Sequence, residues 1–495
     1  MFAAARAEFE RVLGYGRDAA GAKVTHGELE RELSVRMREV TRSLFQDHFA
    51  LRERDEQRAA QVVDGEGIGR NRIERHRTAA LDTIFGPVTV MRIAYRGDYV
   101  GDLHLMDAEL NLQDGKASHG LAYRAAVEAV RGSFAEATAR LRAECGIKIG
   151  PRQVQDLVIH AACDIEAYHA AMVPVPADPG TLLILTYDGK GIVMRTEALR
   201  EATAKAAAKK GTNTYKTRLA SGEKNGRKRM AGLAAVYDAT PAPRGAPDIL
   251  PEPDGPARDP VPGPVAFNKW LTGSVANPAS VTVKAAFAQA QARDPHHARP
   301  WIVLVDGAPH QIDLVKAEAK RRKIHVEIIV DFIHVIEYLW KAAWCLYKSG
   351  APEAEAFVGA YGREILAGNA LGAAQQLERA ANDAQLEPGQ RGGIDDAIAY
   401  LNSKAPYLAY DKALASGWPI ATGVIEGACR HLIKDRLDIT GARWGLDGAE
   451  AVLRLRALRS SGDFEAYWAY HEARDYQRNH LARYKNAILP ETADP

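Results

Sequence analysis

The sequence predicts an α/β protein built on a mixed five-stranded sheet flanked by helices, with further helical regions outside that core. Three observations carry this expectation. Short runs rich in Val, Ile and Leu, namely "LLILTYD", "IVMR", "AGLAAVYD", "WIVLVDG" and "HVEIIVD", begin at Leu182. The first three follow one another as antiparallel hairpin strands do, whereas "APHQIDLVKAEAKRRK" between the last two has the spacing of a crossover helix joining parallel strands. The stretch from about Phe332 to Ser416 is rich in Ala, Leu, Glu and Gln at helical spacing and is broken at "LEPGQRGG", so it reads as a helical insertion.

Ahead of the sheet, Phe2 to about Ala60 mixes both charge signs with spaced Leu, Val and Phe and no Pro, the pattern of a long amphipathic helix. "GPVTVMRIAYR" alternates as a short strand. In "SFAEATARLRAECGIKIGPRQVQDLVIHAA" two helical patterns flank a Gly-containing break, which fits a helix-turn-helix with Arg152, Gln153 and Gln155 at the start of the recognition helix; an ordinary helical hairpin fits equally. Nine prolines between Ala239 and Pro264 mark a surface connection, extended or disordered. The expected regions are 1–80 (helical), 81–175 (DNA-binding), 181–331 plus 421–460 (catalytic core, with a Pro-rich loop at 240–264), 332–420 (insertion) and 461–495 (tail).

Composition narrows function without naming it. A chain of 495 residues with 46% hydrophobic residues can bury several cores, and 65 basic against 63 acidic residues leave only a local charge signal. That signal lies between Arg200 and Arg229, where ten Lys or Arg face two Glu. Beside an acidic site it would neutralise DNA phosphates; elsewhere it would be a solvated loop. The four cysteines have no C-x-x-C spacing, which argues against a zinc knuckle and fits a reducing, cytosolic setting. "DGEGIGRNRIERHR" lacks the phosphate-loop pattern, so ATP-driven chemistry is unsupported. Early Glu8 and Glu10, and the charges within "HVEIIVDFIHVIEYLW", argue against export and membrane insertion.

The chemistry-bearing residues are far apart in sequence. Asp188 ends one apolar run, Asp306 ends another 118 residues later, and Glu426 follows after a further 120 in a segment of helical periodicity. Asp188-Gly189 alone reads as a turn, since both residues tolerate positive φ. Three carboxylates brought together by a fold could instead hold two divalent metals about 3.5–4 Å apart for phosphoryl chemistry. Arg430 and Lys434, at i+4 and i+8 from Glu426, would share its face, while Ile425, Cys429 and Leu432 would pack inward. Arg436, Arg443 and Trp444 would add charge and a stacking surface. Asp331 can cap a helix and His334 can be a satisfied core histidine; alternatively both are auxiliary site groups.

These residues resemble the DDE transposases of bacterial insertion sequences, specifically the ISKra family, distantly similar to eukaryotic Mutator-type transposases. "TYDGKGIVMR", "GEKNGRKRMAGLAAVYD", "WIVLVDG", "DFIHVIEYLWKAAWC", "GWPIATGVIEGACRHLIKDRLDITGARWGLDGAEAVLRLRALRS" and "GDFEAYWAYH" look like that family in the expected order, as do "FGPVTVMRIAYR" and "LMDAELNL" upstream. The likeness runs from about Phe85 to His471; Ala308 and Pro309 depart from it, standing where the family has polar residues.

The resemblance implies an RNase H-like core, with Asp188 on the first strand, Asp306 after the fourth and Glu426 on a helix beyond an insertion. It implies that these three bind two Mg²⁺ or Mn²⁺ ions, that Asp331 and His334 form a recurrent D-x-x-H element, and that the chain cuts and joins DNA at terminal inverted repeats. Lys190, Arg227, Lys228 and Arg229 join the expected DNA-contacting residues. A homodimer or larger assembly on double-stranded DNA and a bacterial, nucleoid-associated location follow, and an RNA or protein partner is left open. A silent DNA-binding protein and a nuclease without strand transfer are the alternative expectations.

Overall fold

A computed structural model of the chain describes residues 2–18, 24–174, 177–209, 228–253, 259, 261–439 and 441–491. It divides into two compact units, 1–171 with 463–495, and 172–462.

The first unit opens with α1 (Ala3–Arg17) and α2 (His26–Asp55). Thr25 starts α2: its hydroxyl accepts from Glu28 N while the Glu28 carboxylate accepts from Thr25 N, which satisfies donors a helix start leaves open. Strands β1 (Arg72–Thr83), β2 (Gly86–Gly97) and β3 (Val100–Leu103) form an antiparallel sheet in that order. The strand expected from "GPVTVMRIAYR" is β2. Its partner β1 was not anticipated, and the expected boundary at residue 80 falls inside the β1–β2 hairpin. β1, "RIERHRTAALDT", is charged through its first half and gathers Ala79, Ala80 and Leu81 together, so it carries no apolar alternation to find.

Helices α3 (Leu105–Glu109), α4 (His119–Arg131), α5 (Phe134–Cys145), α6 (Pro151–Ala161) and α7 (Ile165–Ala171) follow. Ser133 and Glu136 form the box that starts α5, and Gly146, at φ 68°, ends it. Buried Ile147 and Ile149 then carry the chain to Pro151 at the first turn of α6.

The second unit is a five-stranded mixed sheet flanked by helices. Its strands are β4 (Leu182–Val193), β5 (Lys228–Ala239), β6 (Ala266–Ser274), β7 (Trp301–Val305) and β8 (Glu327–Val330), in the order β6-β5-β4-β7-β8. β6, β5 and β4 pair antiparallel; β4, β7 and β8 pair parallel.

Two expectations are corrected here. "LLILTYD" and "IVMR" are one strand: β4 pairs with β5 without interruption through Asp188↔Leu233 and Gly189↔Gly232, so Asp188-Gly189 is no turn and Asp188 does not end its strand. The strand this displaces is β6, "AFNKWLTGS", an edge strand whose polar first half masks its pattern.

Between β4 and β7 lie α8 (Glu201–Lys209), α9 (Ala246–Ile249) and α10 (Ala279–Arg293), and α11 (Pro309–Arg322) is the expected crossover from β7 to β8. Part of the Pro-rich connection is tied down rather than loose: Ala242 N donates to Gly417 O, and Arg244 Nη2 donates to Trp418 O at 2.9 Å. The insertion comprises α12 (Phe332–Leu346), α13 (Pro352–Leu366), α14 (Ala370–Asp383), α15 (Gly392–Lys404) and α16 (Tyr410–Ala415), sharing one apolar core with the sheet. Then come α17 (Gly423–Ala428), a π-helical stretch Cys429–Lys434, and α18 (Leu446–Ser461), which packs on β6. The expected tail at 461–495 instead holds α19 (Phe464–Asn479), whose buried Phe464, Tyr467 and Trp468 join the first unit. No described helix is long and apolar enough to cross a membrane.

Candidate active site

The register of the parallel strands positions three aspartates. β4 and β7 pair from Leu183↔Trp301 to Thr186↔Leu304, and continuing that register by two residues sets Asp306 abreast of Asp188. β7 and β8 pair up to Val305↔Val330, and Asp331 N donates to Val305 O at 2.8 Å, so Asp331 comes next in the row. Asp306 and Asp331 follow the carboxyl ends of their strands, where open α/β sheets place their ligand sites, and Asp188 lies level with them on a strand that runs on.

Each aspartate is held differently. Asp188 is half-buried and its Oδ2 accepts from Cys429 Sγ–H at 2.8 Å. Burial, then the bond to Asp188, pushes the Cys429 thiol well above its ordinary range, so it stays a proton donor. Asp306 is also half-buried; its Oδ1 accepts from Ala308 N at 2.8 Å, closing a tight loop across Gly307. Gly307 is required there: its φ is +92°, and a Cβ would meet Tyr400 Oη at 2.7 Å. That hydroxyl, from α15, reaches Asp306 O at 3.4 Å, which brings the helical insertion to the site.

Asp331 is fully buried and committed. Its Oδ1 accepts from Ile333 N at 2.8 Å, capping α12 as expected for a helix start, and its Oδ2 accepts from Thr422 N at 2.9 Å and from the Thr422 hydroxyl. With Phe332 N donating to Ile420 O, these bonds fix the segment that leads into α17. Glu426, exposed on α17, is thereby set beside Asp331, with its Oε1 3.3 Å from the Thr422 hydroxyl. Ligand atoms of Asp331, His334 and Glu426 all lie within 4.8 Å of one another, while His334 Nδ1 is 3.1 Å from Glu337 Oε2.

Glu426 and Cys429 thus reach opposite ends of the aspartate row, one beside Asp331 and the other on Asp188. Around Glu426, the described residues whose ligand atoms all lie that close together are Asp331, His334 and Glu426; Asp188 and Asp306 do not join that group. Sequence reasoning had no signal for Tyr400 or Thr422, ordinary helix and loop residues until the fold brings them in. Cys429 was placed only as an inward-packing residue.

The expected DNA-contacting residues divide. Arg430, Lys434 and Arg443 are exposed and Lys190 is half-buried. Lys190 and Lys434 lie near enough to the Cys429–Asp188 pair to act on the thiol. Lys228 is exposed but shares its charge with Asp438, at 3.1 Å. Three residues do not fit their expected role. Arg436 and Trp444 are buried, the guanidinium 4.6 Å from the ring centroid, so they staple the chain after the π-helical stretch and offer nothing to a nucleic acid. Arg229 donates to the carbonyls of Ala198, Val275 and Ala276 and so holds a loop.

Arg227, with most of the basic run ahead of β5, lies outside the described residues. In the first unit, Arg152 is exposed and pairs with Asp156 at 3.2 Å, Gln153 Oε1 accepts from Gly150 N, and Gln155 is half-buried. No model of a known protein family matches the chain, and a search of characterised proteins finds no match.

Proposed function

We propose that this chain is an insertion-sequence transposase of the DDE type, with an RNase H-like core that cuts DNA at the element's ends and joins the freed 3′-hydroxyl to target DNA. The observation that supports it most is the register that sets Asp306 abreast of Asp188, with the helix of Glu426 tied to both ends of that row.

The donor set fits the expected ions. Asp188, Asp306 and Glu426 offer carboxylate oxygens, the ligands hard cations select, and the Glu426 carboxylate is exposed to a substrate. Mg²⁺ or Mn²⁺ held by these three would activate the attacking oxygen and stabilise the leaving one. The chain's own residues do the rest. Asp331 and Thr422 orient the helix that carries Glu426, the Asp306–Ala308 turn fixes the second carboxylate, and Cys429 orients the first. Lys190, Arg430, Lys434 and Arg443 supply charge against phosphates. No covalent bond between protein and DNA is required. Two ends must be brought together, so the active form is at least a dimer on DNA; sedimentation as a monomer with end DNA would count against that.

The test is a labelled duplex carrying the flanking element ends, incubated with and without Mg²⁺ beside Glu426→Gln. Nicking at the ends that needs Mg²⁺ and is lost in the variant is the expected result. One observation favours a second reading: the tight grouping of Glu426 is with Asp331 and His334. A silent DNA-binding protein that keeps this grouping for structure would footprint the ends and cut in neither Mg²⁺ nor Mn²⁺. Hydrolysis without joined products would mark a nuclease.

A further inference from the structure

Away from the aspartate row, the first unit buries a second polar cluster that the proposed chemistry does not use. His471 and Asp475 stand one turn apart on α19, 0% and 1% exposed, and face His160 near the end of α6. His471 Nδ1 lies 2.7 Å from Asp164 Oδ2. A neutral imidazole that donates its Nδ1–H there turns a bare Nε2 lone pair to the other side.

What that lone pair meets is another acceptor. His471 Nε2 is 3.7 Å from Asp475 Oδ2, and both atoms are buried with no hydrogen-bond partner. His160 Nε2 completes the group, 3.6 Å from Asp475 Oδ1, with its ring centroid 5.3 Å from that of His471. These separations are too long for hydrogen bonds. Two buried acceptors facing each other are unfavourable unless something positive lies between them.

We propose that His160, His471 and Asp475 bind a divalent transition-metal ion, Zn²⁺ first, which ties α6 to α19. Ligands at about 2.0–2.2 Å from a tetrahedral Zn²⁺ stand roughly 3.3–3.6 Å apart; His471 Nε2 and Asp475 Oδ2 are 3.7 Å apart, and one ligand atom from each of the three residues lies within 4.8 Å of the other two. Two imidazoles and one carboxylate suit that ion. The Asp164 carboxylate behind His471 is the outer partner that fixes a metal-binding histidine in its tautomer. Burial alone would raise the Asp164 carboxyl, but hydrogen bonds from Arg478, His471 and Cys163 hold it down at about 2, so it remains an acceptor. Arg478 bonds Asp164 and also Asp475 Oδ1, so the Asp475 oxygen left for an ion is Oδ2, which has no hydrogen-bond partner. His160, with 44% of its side chain exposed, leaves the outer side open for water as fourth ligand.

The site stands apart from the aspartate row, so the test uses the full chain carrying Asp188→Asn and Glu426→Gln. The protein is stripped with a chelator and titrated with Co²⁺ and then Zn²⁺. One equivalent of Co²⁺ should bind with the visible absorption of a four-coordinate ion, Zn²⁺ should displace it, and the melting temperature should rise with Zn²⁺. His160→Ala, at a half-exposed position, should weaken Zn²⁺ binding at least tenfold while the stripped protein keeps its fold by circular dichroism. Absence of Co²⁺ absorption, or Zn²⁺ binding unchanged in both His160→Ala and Asp475→Asn, would overturn the proposal.

Discussion

The two carboxylate clusters of this chain are built on opposite terms. In the second unit, Glu426 is exposed, Asp188 and Asp306 are half-buried, and the groups come from mid-strand in β4, the end of β7 and a short helix. In the first unit, Asp164, His471 and Asp475 are nearly sealed; His471 bonds Asp164, and Arg478 bonds both aspartates. The second unit's cluster keeps its carboxylates reachable and fixes them from behind, through backbone N–H groups and buried neighbours such as Asp331. The first unit's cluster is sealed and spends most of its lone pairs internally. Substitutions should therefore cost chemistry in one and stability in the other.

Asp306→Ala tests the first half of that contrast with the largest expected effect. Metal-dependent nicking should fall by far more than the roughly 10–100-fold that outer partners of a metal ligand carry. End binding by mobility shift should stay within about twofold, because a half-exposed carboxylate adds little to phosphate contacts. Retained nicking would remove Asp306 from the site.

Asp164→Asn probes the other half. Losing the charge leaves Arg478 and His471 facing a neutral amide in a buried setting, at a cost of about 3–5 kcal/mol to the first unit. Denaturant unfolding should register this as a lowered midpoint. A cost under about 1 kcal/mol would mean that the cluster is not the structural one.

How much of this was legible in the sequence follows the same division. Val- and Ile-rich runs revealed β4, β7 and β8 because both faces of those strands are covered, so apolar residues run on without a gap. A strand end at Asp306 and a helical period around Glu426 were also legible, being local features, whereas Asp188, read as a strand end, lies mid-strand. It misread what depends on partners. Asp188-Gly189 has the chemistry of a turn, yet β5 pairs straight across it. β6 opens with exposed Phe267, Asn268 and Lys269 and is buried only from Trp270 and Leu271 on, so no regular alternation marks it. Arg436 and Trp444 looked like a DNA-facing pair because charge beside an aromatic ring carries no mark of burial. The His160–His471–Asp475 group joins residues more than 300 positions apart and has no motif spacing at all.

Glu318 offers a pH test inside the second unit. Hydrogen bonds from Arg321 and then Arg322 hold this buried carboxyl at about 2, below its ordinary 4.5. A depressed carboxyl stabilises the fold above its unfolded pKa, and that contribution is lost as pH falls through the folded value. Glu318→Gln should thus cost about 2 kcal/mol at pH 7. The gap from the unaltered protein should close between pH 4.5 and 2. A gap that persists at pH 2 would assign the loss to packing rather than charge.

The smallest expected effect is the most informative about how a reachable carboxylate is held. Cys429→Ser keeps a donor for Asp188 Oδ2, so nicking should change by less than about fivefold, the scale of one ordinary hydrogen bond. Cys429→Ala removes the donor and frees the carboxylate to turn. If the thiol only orients Asp188, the Ala variant should be slower than Ser. If the thiol instead competes with a cation for Oδ2, the Ala variant should be faster, with a lower Mg²⁺ requirement. The contrast between the clusters favours the first outcome: a carboxylate left reachable gains from one fixed neighbour behind it, and here that neighbour is a buried thiol held in its protonated form.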